Sequence, residues 1–426
     1  MSTVEEPQDQ ATLAGMLETA CELEHALACQ YLYAAFTMKQ PGDPGLTPSQ
    51  AEALSQWKQQ IMKVAIQEMY HLMLANNLRT AIDSEPHFAR ANFPQPKTLY
   101  SDIGLPSLLA PFDQETIARF VCWEKPETEG WWDSWCSGSA ADAQRRVGLS
   151  LTADAQEEPP PYTTIGQLYG LIDQALEAHP EWIDPAQADR QVTSALVPFS
   201  PKVQPITTYA DATRYITEIV DEGEGTPDWD SMSHFAYFHQ INNDLKTFQG
   251  LQPSWDTVDS PVYDPANELP GSSLIETEGV REVGVLFNDA YQLMVGTLGR
   301  LFVPNGETQD ERAALANGAL VLMPLGVKRL GTLLTRIPAG EKYPGLMAGP
   351  SFELPQRVAA PSEPCAETFA ALHSRAEELA RRCRPLSIDA TALPAAARAE
   401  LADIAAKLET IVPLFDSPAG AVGAVR

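Results

Sequence analysis

The chain has 426 residues, which at roughly 150 residues per domain allows two to three domains and at least one large hydrophobic core. Apolar residues make up 44% and charged residues 20%, excluding wholesale disorder, while 35 prolines point to long irregular connections. Lys and Arg number 29 against 57 Asp and Glu, a formal charge of −28; that field repels nucleic-acid backbones and anionic membrane surfaces, so neither is expected as a partner.

The first ten residues are polar and acidic, without the basic flank and apolar core of an export signal. The longest apolar stretch, Ala313–Val327, is broken by Asn317, Gly318, Pro324 and Gly326 and falls short of the roughly 18 residues a spanning helix needs. Six cysteines without a C-x-x-C pair read as reduced thiols in a cytoplasmic protein.

In chain order, residues 11–40 read as a helix: Leu13, Leu17, Ala20, Leu27, Tyr31, Ala35 and Met38 keep one face, and Glu24 falls on it. A second helix opens at Thr47-Pro48 and runs to about Ile82 along Trp57, Ile61, Val64, Leu72 and Ala75; Glu68 and His71 interrupt that stripe. From 84 to 161 the periodicity fades into Pro, Gly and aromatic residues, a loop-rich insertion of the kind that covers a site, with a short helix at 113–123. Its cluster Trp131, Trp132 and Trp135 suits either the wall of an aromatic substrate pocket or a satellite core. Helical texture returns at 164–179 and at 210–224, where Glu222 takes an apolar position, and at 231–245, whose inner row is His234, Phe238 and Ile241. After a Pro-rich passage, helices at 276–303, 308–336, 363–384 and 394–412 carry plain apolar stripes. There is no alternating strand pattern, nucleophile elbow or phosphate loop, so the class is all-α.

An ionised carboxylate in a dry core costs several kcal/mol unless it is paired. Glu24, Glu68 and Glu222 each lie on an apolar face, and the nearby Lys63 and Arg79 lie on other faces. A bound cation supplies the missing charge. Residues three apart on a helix point side by side, so Glu68-x-x-His71 offers a hard oxygen and an imidazole nitrogen to one ion. The specificity lies in the set Glu24, Glu68, His71, Glu222 and His234, which follows the inward-projecting carboxylate and Glu-x-x-His arrangement of di-iron bundles. Carboxylate and imidazole together suit iron or manganese, and also accept zinc or copper. Tyr31, seven residues beyond Glu24, is a candidate redox-active phenol, and His25 a candidate to orient a ligand.

The segments Cys21-Glu-Leu-Glu-His-Ala26, Tyr31-Leu-Tyr33, Glu68-Met-Tyr-His-Leu-Met-Leu-Ala-Asn-Asn77, Thr164-Ile-Gly-Gln-Leu-Tyr169 and Ile219-Val-Asp-Glu-Gly-Glu-Gly225 with Ser233-His-Phe resemble a known family. It is the ferritin-like domain family associated with iminophenyl-pyruvate dimer synthases of bisindole biosynthesis. Leu286-Phe-Asn-Asp-Ala-Tyr291 and Gly349-Pro-Ser-Phe352 extend the likeness across roughly residues 11–355. The resemblance implies a ferritin-like four-helix bundle whose metal centre, mono- or dinuclear iron, reacts with O₂ or peroxide. Where the family pattern offers a carboxylate on the third helix this chain has Gln167, leaving a single metal, an asymmetric pair, or Glu218 as a substitute ligand.

The expected organisation is a metal-binding bundle over 11–250 containing the insertion 84–161, then a C-terminal helical domain over 272–415. The expected function is a non-haem oxidase or oxygenase acting on a small amino-acid-derived molecule in specialised metabolism. Two alternatives stand beside it: a non-catalytic ferritin-like metal-binding or partner protein, and a plain helical interaction protein. Related bundles often pair, so a homodimer is compatible with this reading.

Overall fold

The computed structural model describes residues 9–95, 105–127, 130, 132, 135–136, 162–197, 203–224, 233–355 and 361–416. Its helices are α1 (Gln10–Thr37), α2 (Pro48–Ala81), α3 (Gln114–Trp123), α4 (Ile165–Ala178), α5 (Tyr209–Gly223) and α6 (His234–Thr247). They are followed by α7 (Val280–Arg300), α8 (Gln309–Leu322), α9 (Lys328–Leu334), α10 (Cys365–Ile388) and α11 (Ala395–Ile411). A parallel pair of two-residue strands, Pro261–Val262 and Ser273–Leu274, is the one sheet among the described residues. The chain is mostly helical, as its periodicity predicts.

α1 sits at the centre. From Ala20 to Thr37 every side chain except that of Glu22 is buried, so the helix packs on all sides. Its largest neighbour is α2; α4 and α9 cover other faces. α2 starts at a capping box in which Thr47 and Gln50 satisfy each other's backbone N–H groups. Two asparagines then fix loops against α2: Asn77 Nδ2 donates to the Val192 carbonyl and Asn76 Oδ1 accepts from the His87 N–H. α3 packs on α6, and α4 on α5.

α7, α8, α10 and α11 pack mainly on one another, joined to the central helices through α9 and the 337–355 segment. Gly331 on α9 lets two elements close up: a Cβ there would sit 2.7 Å from the ring of buried Phe36 on α1. Gly331→Ala is expected to destabilise the fold by about 1–3 kcal/mol through overpacking, read as a lower urea midpoint at unchanged slope.

The 286–291 and 349–352 motifs meet here. Asn288 Oδ1 accepts from the Ser351 hydroxyl and the Glu353 N–H, while Tyr263 Oη donates to the Gly349 carbonyl at 2.7 Å. Glu353 is buried and accepts five hydrogen bonds, from Tyr263 N, Asp264 N, Asn267 Nδ2, Asn288 Nδ2 and Ser351 Oγ. This buried carboxylate is fully occupied by donors and needs no cation.

Two sequence expectations are corrected. Cys122 and Cys136 form a disulfide, with Cα atoms 5.5 Å apart, and only Cys21, Cys29, Cys365 and Cys383 are free. Cys122 lies in the last turns of α3, and no periodic pattern announces its contact with Cys136, so a reduced state for all six thiols no longer supports a cytoplasmic setting. The apolar run also extends further than its sequence breaks suggest. Gln309–Leu334 is continuously helical over 26 residues, long and apolar enough by composition for a bilayer span. Met323–Val327 adopts π-helical turns that carry Pro324 and Gly326 without ending the helix. The run packs on α7 and α11, as the core helix of a folded domain does.

Candidate metal centre

Glu24 on α1, Glu68 and His71 on α2, Glu222 on α5 and His234 on α6 converge at one place inside the bundle. His71 Nδ1 lies 3.3 Å from Glu68 Oε2 and 3.7 Å from Glu24 Oε2, and its Nε2 lies 3.1 Å from Glu222 Oε2. His234 Nδ1 lies 2.9 Å from Glu68 Oε1, and the two imidazoles stack with centroids 5.4 Å apart. Ser233 caps α6, accepting from the Ala236 N–H, and so sets His234 at the first helical position. Glu24, Glu68, His71 and His234 are buried, whereas the Glu222 side chain keeps 33% exposure and forms the open edge.

A sixth donor was missed in the sequence. Glu124, at the C-cap of α3, is buried with Oε2 3.7 Å from His234 Nδ1. It adds a fourth carboxylate to the cluster. Gln167 instead lies in the first turn of α4, where its Oε1 accepts from the Thr163 N–H at 2.7 Å and from the Thr163 hydroxyl, turned away from the cluster. Glu218 is also displaced from the donor set, accepting from Tyr70 Oη at 2.9 Å. Glu124 lay in an aperiodic stretch, and its only sequence signal was an acidic residue directly after the buried run Phe120-Val-Cys-Trp.

Two phenols brace the carboxylates. Tyr31 Oη donates to Glu124 Oε1, and Tyr169 Oη donates to Glu24 Oε1 at 2.8 Å. Burial and the neighbouring carboxylates hold both phenols well above the ordinary tyrosine range, so both stay protonated donors. Tyr31, Phe120 and Phe238 pack with centroids 4.6 to 5.3 Å apart and wall this side of the cluster. His25 faces elsewhere: its Nε2 meets Tyr291 Oη in an apolar cavity lined by Met69, Met73 and Phe88. Trp132 packs edge-on against Phe235, next to His234, at 5.5 Å, and Trp135 lies under Lys246. Trp131 lies outside the described residues.

Electrostatics separates this cluster from Glu353. Among the described residues, the ion pairs of Glu24, Glu68, Glu124 and Glu222 are with His71 and His234, never with Lys or Arg. Burial pushes Glu24 up to about 7. Burial opposes a charge on His234, yet Glu68 and Glu124 outweigh it and lift the imidazole to about 9; His71 is raised for the same reason by Glu222, Glu24 and Glu68. Protonated imidazoles balance the carboxylates here. Both ring nitrogens of His234 and Glu68 Oε1 are buried without a hydrogen-bond partner, since the 2.9 Å approach is out of hydrogen-bond alignment. Orphaned nitrogen and oxygen donors pointing at one another fit coordination to a metal ion, and four carboxylates with two imidazoles form an iron- or manganese-type donor set. A second group, Glu18, Glu22 and His87, is more exposed and has Arg79 beside it, 3.6 Å from Glu18.

Comparison with known proteins bears on the family and the fold. The chain is 24% identical over 386 residues to dichlorochromopyrrolate synthase of Lentzea aerocolonigenes, covering 82% of this chain and 36% of that protein. It is 24% identical over 376 residues to 2-imino-3-(indol-3-yl)propanoate dimerase of Chromobacterium violaceum, covering 80% and 34%. It thus spans about a third of the length of these curated relatives. The crystal structure of a ferritin-like protein from Caulobacter vibrioides superposes with a TM-score of 0.53 at 18% identity, covering 82% of this chain and all of that one, and shows the shared fold. The ferritin-like family profile matches residues 17–243, more than half of the chain, so the chain belongs to the ferritin-like family.

Proposed function

We propose that this chain is a non-haem metal-dependent oxidoreductase, holding one or two iron ions at Glu24, Glu68, His71, Glu124, Glu222 and His234 and using O₂ or peroxide to oxidise a small amino-acid-derived molecule. The observation that carries this reading is the donor set itself: buried, convergent, free of Lys and Arg, and with His234 unsatisfied at both nitrogens. Iron held by these residues would supply the electrons that reduce O₂ or peroxide, and so the oxidising power. Substrate class follows the relatives, whose names denote a chromopyrrolate synthase and an indolyl imino-acid dimerase.

The residues divide the remaining work. Glu24, Glu68 and Glu124 supply negative charge that favours the more highly charged metal state, and Tyr169 and Tyr31 hold two of these carboxylates in orientation. Tyr31 keeps its proton and holds Glu124 through its Oη. Glu222 is the half-exposed member, so a substrate approaches from its side. Phe120, Phe238 and Tyr31 keep water from the opposite side. Trp132, edge-on to Phe235, shapes the region around His234; Trp132→Ala is expected to alter turnover and leave metal content intact.

Anaerobic loading with Fe(II) followed by exposure to O₂ tests the proposal. The expected result is a transient visible absorption band and oxidation of added indolic or phenolic amino-acid derivatives with multiple turnovers. Uptake of iron with a single oxidation event and no product would favour a storage protein instead.

A further inference from the structure

The six clustered side chains occupy two kinds of position. Glu24, Glu68 and His71 stand within the long helices α1 and α2, where packing on both sides along the helix fixes them. Glu124 and Glu222 stand at helix ends. Glu124 caps α3 and Glu222 lies in the last turn of α5, where the final carbonyls lack helical partners and the backbone tends to fray. α5 packs mainly on α4 and touches α2 only lightly. Helix ends of this kind keep a fixed geometry only when they are tied.

Glu224 is placed to be the tie. It caps α5 two residues after Glu222, and it is buried at 4% exposure. Its Oε1 accepts from the Gly166 N–H at 2.6 Å and its Oε2 from the Glu127 N–H at 3.0 Å, and the Thr164 side chain hydrogen-bonds it as well. Each segment it grips carries a member of the site. Glu127 follows Glu124 by three residues, and Gly166 precedes by three, about one helical turn, the Tyr169 whose hydroxyl holds Glu24. The fit is close. A Cβ on Gly166 would lie 2.6 Å from Glu224 Oε2, so a larger residue there displaces the carboxylate, and a Cβ on Gly223 would lie 3.5 Å from Glu124 Oε2, so the end of α5 rests beside that ligand.

We infer that Glu224 is a positioning residue for the metal centre: its one carboxylate joins the ends of α3, α4 and α5 and so sets Glu124, Glu222 and, through Tyr169, Glu24 at the separation a common ion needs. Backbone N–H groups hold both of its oxygens, so it acts through these side chains and is not itself a ligand. The inference rests on the metal-binding reading above and adds to it a residue outside the donor set.

Titration of the full chain with Co(II), followed by its visible bands, tests this in Glu224→Ala, Glu224→Gln and Gly166→Ala. Glu224→Ala and Gly166→Ala are each expected to weaken binding by about 10–100-fold, the range for groups that orient a ligand, and to shift the bands. Glu224→Gln keeps one acceptor oxygen and is expected to fall between them and wild type. Gly166→Ala leaves every donor of the cluster in place and puts a better helix former into α4, so it carries the test even where Glu224→Ala does not fold. Thr308→Ala, which removes the cap of α8 away from the cluster, is expected to lower Tm and leave binding and bands unchanged. If the Glu224 and Gly166 variants behave like Thr308→Ala, with a lower Tm but wild-type affinity and bands, Glu224 is only a helix cap and the inference is overturned while the proposed function stands. Wild-type protein that takes up no Co(II) would overturn both.

Discussion

Glu68→Ala is expected to abolish stoichiometric metal binding and to leave helix content unchanged. Glu68 is the one carboxylate within 3.3 Å of both imidazoles, with Oε2 toward His71 and Oε1 toward His234. Loss of groups that merely support a ligand typically lowers metal affinity by 10–100-fold; removal of the carboxylate between both histidines should exceed 100-fold. The helix itself has little to lose, because alanine is the better helix former and α2 is held by packing over its whole length. Metal per chain by elemental analysis, with circular dichroism on the same samples, checks this. His71→Ala is expected to match it. Equal metal content in wild type and both variants would refute the assignment of the α2 pair. Tyr31→Phe, which removes only the donor to Glu124, should lie between wild type and these variants.

The metal-free protein is expected to lose thermal stability as the pH rises from 6 to 9. His234 has its folded value raised to about 9, so its contribution is complete below the ordinary imidazole value of about 6.5 and is lost as pH climbs through 9. His71 is raised as well and acts in the same direction. Glu24 is pushed up by burial to about 7, so its ionisation between its unfolded value and pH 7 costs stability over the lower part of the window. Glu68 is depressed because His234 and His71 outweigh its burial; its contribution disappears only at acid pH, outside this range. Three groups therefore push one way, and a fall in Tm of about 3 °C or more is expected. A bound metal reverses the dependence, since it requires neutral imidazoles and an ionised Glu24 and is held more tightly as protons leave. Thermal melts in chelator and with a redox-silent divalent metal, at several pH values, measure both limbs. His234→Gln should flatten the metal-free slope; an unchanged slope in that variant would assign the effect to the general negative charge of the chain.

The fold class was legible, and so were five of the six clustered side chains as candidates, because both rest on helical periodicity. Glu24, Glu68, His71, Glu222 and His234 each break an apolar stripe, and a stripe is what a sequence records most clearly. Glu124 was hidden because it follows the last turn of a ten-residue helix in an aperiodic region, where no face is defined. The family pattern places Gln167 at a ligand position, yet a side chain in the first turn of a helix also has unpaired backbone and hydroxyl groups within reach, and here it bonds to Thr163. The disulfide was illegible for a related reason: contact between Cys122 and Cys136 depends on a loop path, which composition leaves open. Glu353 adds a further lesson. Burial alone does not mark a metal ligand, because five donors satisfy that carboxylate, whereas Glu68 Oε1 and both nitrogens of His234 have none in hydrogen-bond geometry.

Elemental analysis of wild-type protein purified without chelator tests the central claim most directly. The account predicts one to two equivalents of iron or manganese per chain, with X-ray absorption showing an oxygen and nitrogen shell that includes imidazole. A chain that carries no metal as purified, and takes up none when offered Fe(II) without oxygen, would contradict it.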